Sequence, residues 1–295
     1  MHRASLIPAS PIDKPSDKDA AFFALPGQRV VALDGRDAVA FAQAQCMSDV
    51  ATLGDAQWHW SGWLTPKGRL IALFALLRLD AETLWLLLPD ADPNEFASQL
   101  QRFLFRSKVA ITVRDDLQVS GAFTSPCGAS GADLIIDGDG RIELDFRGDG
   151  GVRTLRLAAA RSHADSGLAL RWTQTDLAHG LPRLPGSQSG QWTPQQLSLE
   201  RLRAYSVRKG CYPGQEIVAR THFLGQAKRG LVLLESEAAI AVGAGVHEGD
   251  DAIGKVVSAA GNLGLAVLPL GREFAALSVD DTPVCERPLQ GGLAR

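Results

Sequence analysis

Lys209-Gly210-Cys211-Tyr212-Pro213-Gly214-Gln215-Glu216 is the most unusual stretch of this chain, and core packing explains none of it. Pro213-Gly214 suits the central pair of a type II turn, because proline presets φ and glycine accepts the positive φ that follows. Gly210 permits a second close approach of the backbone. Around the glycines stand a thiol, an aromatic ring, an amide and a carboxylate, with Arg208 ahead and Arg220 behind. Two readings follow. In the chemical one, the Lys209 cation two residues from Cys211 favours the thiolate. Glu216 then pairs with a planar N–H/NH2 edge, as carboxylates pair with guanidinium, and Tyr212 stacks on a flat heterocycle. In the architectural one, the octapeptide is a turn into a helix, Glu216 favours the helix dipole, and Cys211 is a small hydrophobe. The residue types alone are compatible with both.

Outward from this stretch, Arg201, Arg203, Arg208, Lys209, Arg220, Lys228 and Arg229 face only Glu200 and Glu216 among acidic neighbours in sequence. This local positive field suits an anionic ligand such as a glutamate tail, or is a solvated face. The whole chain carries no such excess: 295 residues, 45% hydrophobic and 21% charged, have a net charge of −3. That is ordinary globular composition, enough for two or three compact units, and direct nucleic-acid binding is not expected from it. Cys46, Cys127, Cys211 and Cys285 are far apart, which argues against a zinc or cluster site built by this chain alone and against a disulfide framework. A reducing, cytoplasmic setting follows, with Cys46 and Cys285 read as buried. His59, His163, His179, His222 and His247 have no metal-ligand spacing and read as structural. The apolar run from Leu70 to Leu88 is broken by Arg78, Asp80 and Glu82, so it is no membrane span.

The elements suggest the class. Val30–Leu33 reads as a strand, Asp37–Met47 as a helix, and Trp58–Leu64 as a strand before a Pro66-Lys67-Gly68 turn. Leu70–Arg78 and Thr83–Pro89 form a hairpin. Asp92–Phe105 is a helix with Asp92 as N-cap and Pro93 at its first position, and Val109–Val113 is a strand. Short turns between strands favour an antiparallel α+β arrangement over a doubly wound sheet. Residues 124–150 form a meander of turns, and residues 182–196 an extended crossing loop. After Gly230, the strands Leu231–Leu234, Ile253–Ser258 and Gly264–Leu268 alternate with Gly and Asp turns, the pattern of a small β-barrel.

The octapeptide resembles the K-G-C-[FY]-x-G-Q-E signature of the YgfZ family. Asp176-Leu-Ala-His-Gly180-Leu-Pro182 resembles that family's D-x-x-x-G-[IL]-P segment. Trp192-Thr-Pro194-Gln195-Gln-Leu-Ser198-Leu-Glu200 resembles its P-Q-x-x-N-L-E approach, with Ser198 where Asn is usual. Phe41–Val50, the Lys67-Gly68-Arg69 turn, Phe105-Arg-Ser-Lys108-Val109 and the strands at Gly254–Ser258 and Gly264–Leu268 follow in the family's order. The resemblance runs from about residue 28 to about residue 270.

It implies an α+β ring of three subdomains like the glycine-cleavage T-protein, an aminomethyltransferase. Residues 1–27 would be a mobile lead-in, 28–225 a folate-binding region of two subdomains that need not be continuous in sequence, and 226–295 a C-terminal barrel. It implies tetrahydrofolate or a one-carbon derivative as cofactor and no resident metal. It further implies a role in assembly or repair of iron–sulfur enzymes, including one that methylthiolates transfer RNA, with those enzymes as transient partners. Cys211 is the candidate functional thiol. Lys209, Gly210, Tyr212, Gly214, Gln215, Glu216 and Arg220 are the candidate folate set. The T-protein's acidic pair falls here on Ala72 and Leu73, which cannot exchange a proton, so aminomethyl transfer is not expected. Two alternatives stand beside this reading: a one-carbon transferase with a relocated acid, Asp49 or Glu216, and a folate-binding scaffold in which Cys211 is structural.

Overall fold

Two five-stranded sheets and one closed barrel form the structure, a computed structural model that describes residues 21–225 and 227–295. The first sheet is built from β2 (Arg29–Asp34), β3 (Gln57–Leu64), β4 (Leu70–Arg78), β5 (Thr83–Leu88) and β6 (Ala110–Val113), in the order β3-β4-β5-β2-β6. β1 (Phe23–Ala24) precedes it in the chain, α1 (Ala38–Gln45) follows β2, and α2 (Pro93–Gln101) follows β5. The expected hairpin is β4–β5, with Ala75 opposite Leu87. Its unbroken apolar run is explained by burial on both faces. Leu73, Ala75 and Leu77 point into the largest core, whereas Ala72, Phe74 and Leu76 pack with Phe41 of α1 and Phe96 of α2.

α2 starts as the sequence requires, the Asp92 carboxylate accepting the Glu95 N–H at 2.8 Å with Pro93 in the first position. It stops at Gln101, short of the expected Phe105. The N–H groups of Phe103 and Leu104 bond three residues back, to Leu100 and Gln101, so the last turn tightens, and Phe105 at φ 41° is left-handed and cannot continue a right-handed helix.

The second sheet is made of β1, β7 (Gln118–Ala122), β8 (Ile135–Ile136), β9 (Ile142–Asp145) and β10 (Thr154–Ala158), in the order β1-β7-β10-β9-β8. Its first strand corrects the expected lead-in over residues 1–27. Phe23 pairs with Gly121, and Phe22, Phe23 and Leu25 are buried. Residues 1–20 lie outside the described residues. α3 (Ser166–Ala178) covers this sheet, and the absence of a side chain at Gly121 admits the Trp172 ring, 2.7 Å from where a Cβ would stand.

α4 (Gln215–Leu224) leads into the barrel of β11 (Arg229–Ser236), β12 (Gly245–Glu248), β13 (Asp251–Ala260), β14 (Leu263–Pro269), β15 (Leu277–Val279) and β16 (Thr282–Arg287). It closes in the order β11-β14-β13-β12-β15-β16. The barrel does not run to residue 295. The segment after Arg287 returns to the body, where Leu293 is buried and its carbonyl accepts Trp60 Nε1–H at 2.8 Å.

One buried carboxylate joins these parts. Asp176 on α3, 1% exposed, accepts Arg153 at 2.7 Å through one oxygen and Arg183 at 2.6 Å through the other. Arg153 precedes β10, and Arg183 also donates to the Pro89 carbonyl beyond β5 at 2.8 Å. Removing the charge leaves two cations at a buried seam, which is costlier than the pairs are stabilising. Asp176→Asn is therefore expected to lose about 3–5 kcal/mol of stability, read as a shifted urea midpoint at unchanged slope.

Candidate functional site

The turn predicted at Pro213-Gly214 forms. Gly214 has φ 78° and ψ 1°, the third-position values of a type II turn, and the Gln215 N–H closes it on the Tyr212 carbonyl at 3.1 Å. Gly214 is needed for a second reason. A Cβ there would stand 2.6 Å from the Thr65 carbonyl and 2.7 Å from Gly68 Cα. Gly68, itself at φ 68°, has Ile217 2.8 Å from where its own Cβ would be. The two turns read separately in the sequence thus pack backbone to backbone. Gly210 has no such constraint: a Cβ there would meet nothing within 4 Å, so the close approach expected of it does not occur.

Lys209 is buried, and its ammonium donates to the carbonyls of Gln43 at 2.5 Å, Cys46 at 2.7 Å and Ser48 at 2.8 Å. These lie where α1 ends, and the last carbonyls of a helix lack intrahelical donors. Burial lowers Lys209 to about 8. Its three N–H groups are committed to these carbonyls, so Lys209 makes no hydrogen bond to the Cys211 thiol. Tyr212 is buried as well. Its hydroxyl donates to the Ser206 carbonyl at 3.0 Å, its ring lies 5.1 Å from the Lys209 ammonium, and burial pushes its phenol up. The Gln215 amide donates to the Lys209 carbonyl at 2.9 Å. In this structure these three side chains support the turn from beneath.

Cys211, Glu216 and Arg220 are exposed, and among the described residues none makes a side-chain hydrogen bond or ion pair. Glu216 lies in the first turn of α4 and Arg220 one turn further on. Arg201 and Arg229 keep their charge but are held in place, Arg201 donating to the Gln290 carbonyl and Arg229 to the Ile253 carbonyl. Arg203, Arg208, Arg220 and Lys228 are exposed as well, so six of the seven cations face solvent.

Beneath the turn lies a polar network. Ser48 Oγ–H donates to Ser61 Oγ at 2.6 Å and lies 2.9 Å from His59 Nε2. Burial, helped by the nearby Lys209 charge, lowers His59 to about 4. Burial pushes the Cys46 thiol up to about 12. Cys285 is exposed on β16, contrary to expectation, because its register turns it away from the barrel interior.

Ala72 and Leu73 are buried on opposite faces of β4. Beside Ala72, a cavity of about 260 Å³ is lined by Ile71, Phe96, Leu184, Ser189 and an acid that the sequence reading passed over, Asp90. The Leu184 N–H donates to its carboxylate, and burial, opposed by Arg183, raises Asp90 to about 6. The only sequence hint was its place in Pro89-Asp90-Ala91-Asp92-Pro93. Among the described residues no three His, Cys, Asp or Glu side chains gather as a metal site, and no helix is long and apolar enough to cross a membrane.

Known proteins resemble the chain at both ends of this architecture. Residues 228–288 match the family described as CAF17, C-terminal beta-barrel domain, which spans β11 to β16. The tRNA-modifying protein YgfZ of Klebsiella pneumoniae is 31% identical over 228 residues, 70% of this chain and 68% of that protein. This chain belongs to the YgfZ family. A second YgfZ, from Colwellia psychrerythraea, is 26% identical over 229 residues, 70% of this chain and 69% of its own. Among solved structures, glycine cleavage system aminomethyltransferase T from Bartonella henselae aligns with a TM-score of 0.69 over 90% of this chain and 84% of its own, at 14% identity. That likeness is one of fold, and it is the T-protein-like fold expected of a YgfZ-family chain.

Two measurements probe the supports of the turn. Lys209→Met leaves three carbonyls without their donor, and a loss of about 3 kcal/mol is expected in urea unfolding, with faster alkylation of Cys211 as the turn loosens. For His59, the unfolded chain takes up a proton near the ordinary 6.5 while the folded chain resists until about 4. Its contribution is therefore intact above pH 6.5 and lost as pH falls toward 4, by roughly 3 kcal/mol in all. His59→Gln is expected to flatten that part of the stability–pH curve.

Proposed function

We propose that this chain binds a reduced folate, tetrahydrofolate or a one-carbon derivative, and supports iron–sulfur enzymes that modify transfer RNA, with Cys211 as its working thiol. The observation that carries the reading is the presentation of Cys211: exposed and unpartnered like Cys127 and Cys285, but set, unlike them, on a turn that the Lys209, Tyr212 and Gln215 side chains hold. The name tRNA-modifying protein, carried by two relatives, supports the link to transfer RNA.

The residues fit a folate in part. A pterin offers a planar N–H/NH2 edge and the tail offers carboxylates. Glu216 is an unpaired carboxylate of the right chemistry for the first, and Arg220 an unpaired guanidinium for the second. They stand one helical turn apart, so they serve neighbouring parts of a ligand rather than its two ends. Lys209, Tyr212 and Gln215 contribute by fixing the turn, and Gly214 by its close packing. The folate, when bound, supplies one-carbon chemistry. The chain offers no acid at Ala72 or Leu73 to move a proton for aminomethyl transfer. A single thiol cannot hold a cluster, so Cys211 acts in transient contact with client enzymes that provide the remaining ligands.

A second reading keeps one-carbon transfer with Asp90 as the relocated acid, favoured by its raised pKa in a cavity beside Ala72. Asp49 and Glu216 serve this less well. Asp49 accepts the Gln43 amide at 2.9 Å, and Glu216 is solvated.

Anaerobic calorimetric titration of tetrahydrofolate into the wild type, Cys211→Ala and Glu216→Gln separates these roles. Wild type and Cys211→Ala are expected to bind alike, and Glu216→Gln about tenfold more weakly. Absence of binding by well-folded wild-type protein removes the folate reading. In cells lacking the endogenous protein, Cys211→Ala is expected to lower transfer-RNA methylthiolation, and full activity removes the thiol's role. Conversion of folate and a one-carbon donor by the wild type, lost in Asp90→Asn, establishes the second reading instead.

A further inference from the structure

The segment after α2 is Arg102-Phe103-Leu104-Phe105-Arg106-Ser107-Lys108, an alternation of cations and aromatic rings that neither the folate site nor the thiol uses. Its base is pinned. The Lys108 N–H donates to the Asp37 carboxylate at 2.7 Å. A Cβ on Gly35 would come within 2.2 Å of the Lys108 carbonyl, so only glycine admits the contact. The Phe103 ring packs edge-on against Trp63 at 5.7 Å.

The tip is a turn closed by Ser107 N–H on the Leu104 carbonyl at 2.7 Å, with Phe105 as its first central residue at φ 41°. Positive φ there is normally left to Gly, Asn or Asp, and a bulky ring in it is strained. The strain secures no burial, since Phe105 is 91% exposed. The Arg106 guanidinium lies 5.3 Å from its ring centroid. Arg102, Arg106 and Lys108 are exposed, and among the described residues none is ion-paired. Arg36 adds a fourth cation, 70% exposed and 3.9 Å from Asp37, the carboxylate at the base of the turn. Strain held at a solvated aromatic tip points to a function, because packing does not repay it.

We propose that this turn docks single-stranded RNA, with bases stacking on Phe105 and Arg106 and phosphates held by Arg102, Lys108 and Arg36. An open π-face beside a guanidinium matches an unstacked base, and flanking cations match a phosphate backbone. The net charge of the whole chain conceals this, because the cations are concentrated on one turn. The base of the turn and the octapeptide share one support: Trp63, on which Phe103 packs, is bridged through its backbone to Cys46, whose carbonyl holds Lys209. The choice of RNA over DNA rests on the transfer-RNA role proposed above. The stacking geometry does not.

The test is fluorescence anisotropy of a labelled, unstructured RNA of ~12 nucleotides with the full chain, beside its duplex and its DNA counterpart. The single strand is expected to bind about tenfold tighter than the duplex. Phe105→Gly is expected to weaken it about tenfold while raising the thermal midpoint, since glycine relieves the positive φ. Arg102→Ala with Lys108→Ala is expected to reduce the salt slope by about 1.4. Equal binding by Phe105→Gly, or by single strand and duplex, overturns the proposal. So does capture of polyglutamate with the same dependence on Phe105, which assigns the turn to an acidic protein. DNA binding equal to RNA overturns the choice of polymer. These outcomes leave the cellular methylthiolation assay untouched, so failure here and failure of the transfer-RNA role are told apart.

Discussion

The buried ammonium of Lys209 is the constraint on which the functional turn depends. A cation at the carboxyl end of a short helix meets carbonyls that have no other donor, and charge-assisted bonds of 2.5–2.8 Å offset its desolvation. Once Lys209 is anchored there, Gly210 and Cys211 have only to bridge to Tyr212, which is fixed by its own buried hydroxyl. The type II turn then brings Gly214 onto Gly68, and α4 starts with its first carboxylate outside. Gly210 and Cys211 are left exposed between the buried Lys209 and the buried Tyr212.

The same economy runs through the seams between subdomains. The largest core draws on the first sheet, the second sheet, α3, the octapeptide's Tyr212 and the barrel's Leu231 and Val257, so the subdomains share it, while the barrel keeps a further core of its own around Leu234, Val256 and Leu268. Polar groups set the registry where the parts meet. Asp176 holds Arg153 and Arg183 at one seam. The Gln195 amide holds the Val218 carbonyl of α4 at 2.9 Å. Ser198, left-handed at φ 48°, receives the Leu231 N–H of the barrel on its hydroxyl at 3.0 Å. A left-handed residue with a short polar side chain is what that joint uses, and the Ser198 hydroxyl supplies the acceptor.

Much of the fold was legible where the deciding interactions are local. The β4–β5 hairpin followed from apolar runs around a charged turn, the start of α2 from Asp92-Pro93, the type II turn from Pro213-Gly214, and the barrel from short strands between glycine turns. These features depend on φ preferences and on neighbours a few residues away, which the amino-acid types specify.

What only the tertiary structure decided is non-local. The Lys209 ammonium finds a carbonyl 163 residues earlier, whereas sequence proximity pointed to Cys211. β1 belongs to a sheet whose next strand starts beyond residue 117, a pairing that no local pattern announces. Cys285 is exposed because strand register, set by closure of the barrel, decides which face each residue takes. Asp90 becomes a perturbed acid only when burial removes its water. The sequence determined which chemical groups the octapeptide carries and the turn that bends it. The packed structure decided which of those groups are spent on holding the turn and which, Cys211, Glu216 and Arg220, are left facing solvent, because burial and partnership are properties of the whole assembly.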